Sequence, residues 1–349
     1  MDIAERFETN PIVRPADVPP SGDGMAVECV LNPGAFRWQG RTGLLMRVAE
    51  RPVQRDGVVI GAERDGSAAG GIRRVEFDAS DPRLDTSDPR FIVHGGRTYL
   101  STLSHLRLAW SGDGVCFEPV DEPTLVGSGP LERYGIEDCR VTEIDGTFYL
   151  TYTQVSAAGT GVGLAVTRDW RRFDRRGTIL PPANKDCAIF DRKIGGEFVC
   201  LHRPTGVALG GSHIWLARSK DLIHWGRHEC VAQTRPGRWD ELRIGAGAAP
   251  IRTEHGWLAI YHGADGDQRY GLGAMLLDLD SPARVLARGE EPIMEPVADY
   301  EREGFFGNVV FTSGHVVDGD QLTIYYGAAD EAICGARLSI RRILQTLGR

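Results

Sequence analysis

Gly256-Trp257-Leu258-Ala259-Ile260-Tyr261-His262, then Tyr270-Gly271-Leu272-Gly273-Ala274-Met275-Leu276-Leu277-Asp278 after a short polar connection, is the stretch on which the fold turns. Each half is an apolar run of strand length with a glycine at its start. The same unit recurs upstream. Gly195-Gly196-Glu197-Phe198-Val199-Cys200-Leu201-His202 precedes Ile214-Trp215-Leu216-Ala217-Arg218, and Asp145-Gly146-Thr147-Phe148-Tyr149-Leu150 precedes Val162-Gly163-Leu164-Ala165-Val166. A further copy is Gly95 to Leu103 with Leu106 to Trp110, and weaker ones lie at Gly43 to Arg47 and Leu322 to Gly327. Several copies close on a Ser/Thr-x-Asp turn, as at Ser111-Gly112-Asp113, Thr167-Arg168-Asp169 and Ser219-Lys220-Asp221. All-β units repeating every ~50 to 60 residues predict propeller blades. A sandwich would space its strands more closely and evenly.

Six strand pairs are legible, and the first and last sharing a blade would close a ring of five. The expectation is an all-β, five-bladed β-propeller, a single catalytic domain over residues 1–349. Leu338 to Leu347 alone has apolar residues three and four apart, which predicts one short C-terminal helix. The proline-rich start, Asn10 to Pro20, reads as an extended arm.

Composition removes several function classes. Of 349 residues, 42% are hydrophobic, too many for a disordered chain. No apolar run is long enough to span a bilayer, so no membrane partner is expected. Lys plus Arg number 40 and Asp plus Glu 48, a net charge of −8 without a basic block, which argues against a nucleic-acid partner. The opening residues lack the basic-then-apolar pattern of a signal peptide. Seven cysteines, with no C-x-x-C pair, fit neither a disulfide framework nor a zinc site. The expected location is the reducing cytoplasm. No metal or organic cofactor is expected, and there is no G-x-S-x-G elbow, phosphate-binding P-loop or H-E-x-x-H.

Polar residues at the ends of apolar strands are the candidates for chemistry. They include Arg47, Asp88-Pro89-Arg90, Glu137-Asp138-Cys139-Arg140, Asn184-Lys185-Asp186, His202-Arg203-Pro204, Tyr261-His262-Gly263 and Ala329-Asp330. Each also has an ordinary reading. Asp and Arg two apart form structural ion pairs, Lys185 beside Asp186 suits a solvated turn, His202 suits a satisfied core histidine, and Tyr261-His262 can simply close a strand. Together they form a cluster of carboxylates, Arg, Lys and His around one channel. Such a cluster suits a substrate that combines hydroxyls with an anion.

With these residues in view, the chain resembles glycoside hydrolase family 130, the β-mannoside phosphorylases and related β-mannosidases. The resemblance runs nearly the full length. It rests on Asn32-Pro33-Gly34-Ala35, Leu44 to Glu50, Gly135-Ile136-Glu137-Asp138-Cys139-Arg140-Val141-Thr142, Pro182 to Asp186 and Leu201 to Pro204. It continues through Arg243 to Gly247, Gly256 to Gly263, Gly304 to Phe311 and Tyr325 to Asp330. Asn10-Pro11-Ile12-Val13 and Leu103 to Leu108 resemble the subgroup acting on β-1,2-linked mannosides. Cys139 departs from the family pattern, standing where Glu-Asp-Pro-Arg has proline.

The resemblance implies a five-bladed propeller with Asp138 as general acid, its proton relayed through a hydroxyl of the mannosyl unit. Inorganic phosphate is then the co-substrate, attacking the anomeric carbon with inversion to give α-mannose 1-phosphate. Arg47, Lys185, Arg203 and His262 are the implied phosphate ligands. Asn32, Asp186 and Asp330 are implied sugar ligands, and Arg107, Arg140, His202 and Tyr261 complete the substrate-binding set. The expected partners are a β-mannoside oligosaccharide and phosphate, and a homo-oligomer is compatible with this reading. Two rivals stay open. An inverting β-1,2-mannosidase needs a second carboxylate about 6.5–9.5 Å from the acid, and Glu241 is the candidate. A non-catalytic glycan-binding propeller needs no acid at all.

Overall fold

The two halves of the opening stretch form neighbouring strands, Gly256–Ala264 and Tyr270–Leu277, paired antiparallel from Trp257↔Leu277 to Ala264↔Tyr270. A computed structural model of the chain describes residues 2–205 and 210–349. It is all-β apart from two short α-helices, Asp299–Arg302 and Ile340–Thr346, and a few 3-10 turns. Leu338 and Ser339 end a strand rather than begin the last helix, because the Ser339 hydroxyl caps it by accepting the Arg342 N–H at 3.1 Å. Among the described residues no helix is long and apolar enough to cross a membrane.

Five antiparallel sheets carry the architecture. In chain order, their lead strands are Met25–Trp38, Ile136–Ile144, Asn184–Ile189, Arg243–Ala246 and Val310–Asp318, each at one edge of its sheet. In each of the last four sheets the chain steps outward from the lead, with the short strand Ile251–Thr253 added beside Gly256–Ala264 in the fourth. The fifth sheet is completed by the two-residue strand Glu5–Arg6, which pairs with Ala332–Ser339.

The grouping of strands differs from the sequence expectation at the start. Arg41–Pro52 pairs with Leu103–Ser111, so the copies near Gly43 and Leu106 belong to one sheet. Residues 53–102 are an insertion between these neighbours, and they fold into two small sheets of their own. Arg97–Leu100 pairs with Phe91–His94 in that insertion and belongs to none of the five sheets. The intervening length hid the pairing. The first and last copies therefore do not share a sheet, and the N-terminal strand makes the connection instead.

The reason both halves of the opening stretch are apolar throughout lies in strand geometry. Successive side chains point to opposite faces. Leu258 and Ile260 enter an apolar cluster against the fifth sheet, and Trp257, Ala259 and Tyr261 enter another against the third. Three comparable clusters fill the first–second, second–third and fifth–first spaces. Met25–Trp38 contacts both Val310–Asp318 and Ile136–Ile144, so the succession of packed sheets returns to its start. Burial on both faces means that a polar side chain within these strands needs a partner inside the protein or a place at a strand end.

Candidate active site

Three lead strands are bulged at corresponding places. Pairing registers shift between Leu31 and Gly34, between Glu137 and Arg140, and between Lys185 and Ala188. Within these bulges Asn32, Asp138 and Asp186 adopt φ of 46°, 47° and 56°. This left-handed region costs most residues energy and is tolerated best by Gly, Asn and Asp. A bulge re-aims side chains. It lets Glu137 and Asp138, which are adjacent in sequence, both line one pocket. Cys139 keeps this bulge without proline, with Arg140 Nη1 donating to the Asp138 carbonyl at 3.1 Å.

The pocket has a volume of about 320 Å³. Asp138 is among its lining residues. Its Oδ1 accepts from Asn32 Nδ2 at 2.9 Å and Arg47 Nη1 at 3.2 Å, and Lys185 Nζ lies 3.8 Å from Oδ2. Burial opposes ionisation, but Arg47 and Lys185, with the Asn32 hydrogen bond, hold its carboxyl below the usual range. Arg47 is engaged on every side, donating from Nη2 to Glu137 Oε1 at 2.9 Å and from Nε to Ser104 Oγ at 3.0 Å. Asp330 is also in the pocket, in a turn with φ 51°. Burial, assisted by the charge of Asp138 and opposed by Arg47, pushes its carboxyl up to about 6.

Further cationic side chains line the pocket. Lys185, Arg203 and Arg243 line it together with His262. Beneath them Asp186 is fully buried, 3.0 Å from Arg203 Nε, 3.3 Å from His262 Nε2 and 3.1 Å from Arg140 Nη2. Burial works against its charge, yet Arg203 and the other groups around it hold Asp186 far below the usual carboxylate range. Arg203 Nη1 is buried without a protein partner, and so is His262 Nδ1. Burial, opposed by Asp186, pushes His262 down to about 4. At neutral pH His262 is therefore an uncharged hydrogen-bonding group and not a cation.

Of the expected site residues, Asn32, Arg47, Asp138, Lys185, Arg203, His262 and Asp330 converge on this pocket. Asp186 and Arg140 lie behind its wall. Arg140 also donates to the carbonyls of Ala246 and Gly247 at 2.7 Å. Three expected substrate ligands lie elsewhere. His202 contacts Asn184 Oδ1 at 3.1 Å and His228 Nδ1 at 3.0 Å. Tyr261 donates to Asp240 Oδ2 at 2.9 Å within the core. Each neighbours a pocket residue, Arg203 or His262, and adjacent strand residues face opposite ways. Arg107 is buried, donating to the carbonyls of Pro19 and Asp121 at 2.7 and 3.1 Å. Glu241, the candidate base of the hydrolytic alternative, is exposed on a loop, accepting from the Gly237 N–H at 2.8 Å.

Other pocket residues had no assigned role. Arg243 donates to the Tyr270 hydroxyl at 2.9 Å. Arg90, paired with Asp88 at 2.7 Å, lies 4.3 Å over the ring of Phe306, so the insertion reaches across the pocket mouth. Two consecutive phenylalanines between Gly304 and Gly307, in a segment too short to be core, were the available signal for that rim.

The bulged second lead strand thus places an ion-paired carboxylate in a pocket lined by several cationic side chains. A sequence profile described as beta-1,4-mannooligosaccharide phosphorylase matches residues 85–349, and the chain belongs to that family, glycoside hydrolase family 130. It is 41% identical to the beta-1,2-mannobiose phosphorylase of Listeria innocua, over 98% of each chain. It is 39% identical to a 1,2-beta-oligomannan phosphorylase of Thermoanaerobacter sp., over 70% of this chain and 82% of that protein. The solved structure of the Listeria innocua enzyme with beta-1,2-mannobiose superposes with a TM-score of 0.95 over 99% of both chains, at 40% identity.

Proposed function

We propose that this protein is an inverting phosphorylase of β-1,2-linked mannosides. It cleaves the bond between the anomeric carbon of the non-reducing mannosyl unit and the linking oxygen, and transfers the mannosyl unit to inorganic phosphate as α-mannose 1-phosphate. The observation that carries this reading is the wall of Lys185, Arg203 and Arg243, with Arg203 Nη1 unpartnered. Such a wall has no use for neutral water but binds and aims a phosphate dianion. Phosphate is already a nucleophile, so no second carboxylate is required, and Glu241 does not line the pocket. The relatives named as phosphorylases of β-1,2-mannosides support the same substrate.

Asp138 supplies the proton for the leaving oxygen, relayed through a hydroxyl of the bound sugar. Arg47 and Lys185 favour the ionised form of its carboxyl. A phosphate dianion on Lys185 neutralises that influence and raises the carboxyl's proton affinity where the acid is needed. Arg47, engaged by Glu137 and Asp138, positions the acid; the phosphate ligands are Lys185, Arg203, Arg243 and neutral His262. Asp330 and Asn32 face the sugar. The five sheets with a packed core in every intervening space are read as the blades of a five-bladed propeller, forming one catalytic unit. Five buried free thiols suit a reducing cytoplasm.

Steady-state kinetics of Lys185→Ala and Arg203→Ala test the anion wall. Each should raise KM for phosphate about 10- to 100-fold, as expected for a lost charge-assisted contact, and more than it raises KM for mannobiose. An unchanged phosphate KM in both variants would remove the wall from phosphate binding.

A further inference from the structure

Arg107 does not line the catalytic pocket and is 0% exposed, yet its charge is poorly matched. Its Nη1 donates to the carbonyls of Pro19 and Asp121, which are neutral acceptors. Nε and Nη2, the nitrogens that share one edge of the guanidinium, are buried with no acceptor among the described residues. That edge is the fork with which an arginine grips an anion through two parallel hydrogen bonds. Asp121 and Glu122 act on the guanidinium from a distance, but both are exposed, where solvent screens them.

The surroundings of this edge add donors and few acceptors. His105 and Arg107 stand two apart on Leu103–Ser111 and share a face of the first sheet. Neither ring nitrogen of His105 has a hydrogen-bond partner among the described residues, and the ring is 0% exposed. Burial, with the charges of Arg107 and Arg64, pushes His105 well below its usual range, so it is uncharged. Arg64 ends the strand Val58–Arg64 of the insertion, and its Nε is also buried and unpartnered among the described residues. Glu50, opposite Leu103 in the pairing, is the buried carboxylate that acts on both arginines. It lies 3.8 Å from His105 and is already engaged by the proline-rich arm, accepting from the Ser21 N–H at 2.6 Å and from the Ser21 hydroxyl. Glu63, next to Arg64, is taken by Arg73 and Arg133. Two guanidinium charges therefore share one buried carboxylate.

A buried guanidinium short of a counter-charge is among the costliest groups a protein interior can hold. Water would satisfy the N–H groups and leave the charge; a monovalent anion answers both. The occupant has to be small, because Arg107 and His105 are closed off from solvent and the arm is bonded across Arg107 and Glu50 at Pro19 and Ser21. We propose that the Nε–Nη2 edge of Arg107 is a structural binding site for a small monovalent anion, a halide such as chloride, enclosed by the first sheet and the proline-rich arm. The anion ties the arm to the strand whose Ser104 accepts from Arg47.

Thermal unfolding of the whole protein in sodium chloride and in sodium gluconate, at equal ionic strength, tests the site, since gluconate is too large for a closed chamber. The wild type should melt about 2–5 °C higher in chloride, the shift expected when a ligand well above its Kd binds the folded state alone. Arg107→Met keeps an unbranched apolar stem and removes the charge, and it should melt equally in the two salts. Wild-type crystals soaked in bromide should show an anomalous-scattering peak beside Arg107 Nε and Nη2, and this result decides if Arg107→Met does not fold. Equal melting of the wild type in both salts, a chloride effect that persists in Arg107→Met, or ordered water without bromide at that edge would each overturn the proposal.

Discussion

Asp138 is held by groups that do two different jobs. Asn32 and Arg47 fix its direction, while Arg47 and Lys185 set its charge. Asp138→Asn retains the shape and the Asn32 neighbour but cannot donate the proton. Turnover should fall about 10²- to 10⁴-fold, the usual worth of general acid catalysis, with circular dichroism unchanged; turnover within a few-fold of wild type would make Asp138 structural. Asp330 offers a stability readout of the same cluster. Burial, with the charge of Asp138, raises its carboxyl to about 6. Because the folded state holds the proton more tightly than the unfolded state, the stability from this group is full below about pH 4 and is lost as pH rises through 6. Asp330→Asn removes the unfavourable charge and suits the left-handed backbone there. It should stabilise the protein by about 1–3 kcal/mol at pH 7.5, with the gain vanishing near pH 4. Denaturant melts at the two pH values check this, and a gain independent of pH would contradict it.

At the scale of the strand, the same two-residue period that made the fold legible also shows where the site reading failed. His202 and Arg203 were both candidates, as were Tyr261 and His262, yet a regular strand can send only one of each pair into the pocket. The exceptions are the bulges, where Glu137 joins Asp138. Nothing in the sequence pattern announces a bulge except a polar Asn or Asp interrupting an apolar strand, which is what Asn32, Asp138 and Asp186 are. The insertion was opaque for another reason. Its strand Arg97–Leu100 has the composition of the repeats and falls in the copy that the sequence couples to Leu106 to Trp110, whereas it pairs with Phe91–His94. The both-sided burial of Gly256–Ala264 makes a further prediction. Trp257 is 1% exposed, meets Phe190 edge-on at 5.0 Å and donates its indole N–H to the Leu279 carbonyl at 3.2 Å. Trp257→Ala should cost about 3–5 kcal/mol, measured by urea unfolding; a cost under about 1 kcal/mol would mean that the sheets tolerate a void between them.

Across the whole molecule, a net charge of −8 surrounds a pocket whose inner wall is cationic. The cations are therefore held there against the overall balance, by buried Asp186 behind Arg203 and by the carboxylates around Arg47. Five sheets, four through their lead strands and the fifth through the turn carrying Asp330, bring residues as distant as Asn32, Asp138, Lys185, Arg243 and Asp330 to one place. On the proposed function, this arrangement uses phosphate as the attacking group. The direct measurement is incubation of the purified protein with β-1,2-mannobiose in phosphate-free buffer and in buffer containing phosphate, with the products identified by chromatography. Cleavage should require phosphate, yield α-mannose 1-phosphate and mannose, and run backwards when those two are supplied. Equal cleavage without phosphate, giving mannose alone, would contradict the account and require a carboxylate base in the pocket.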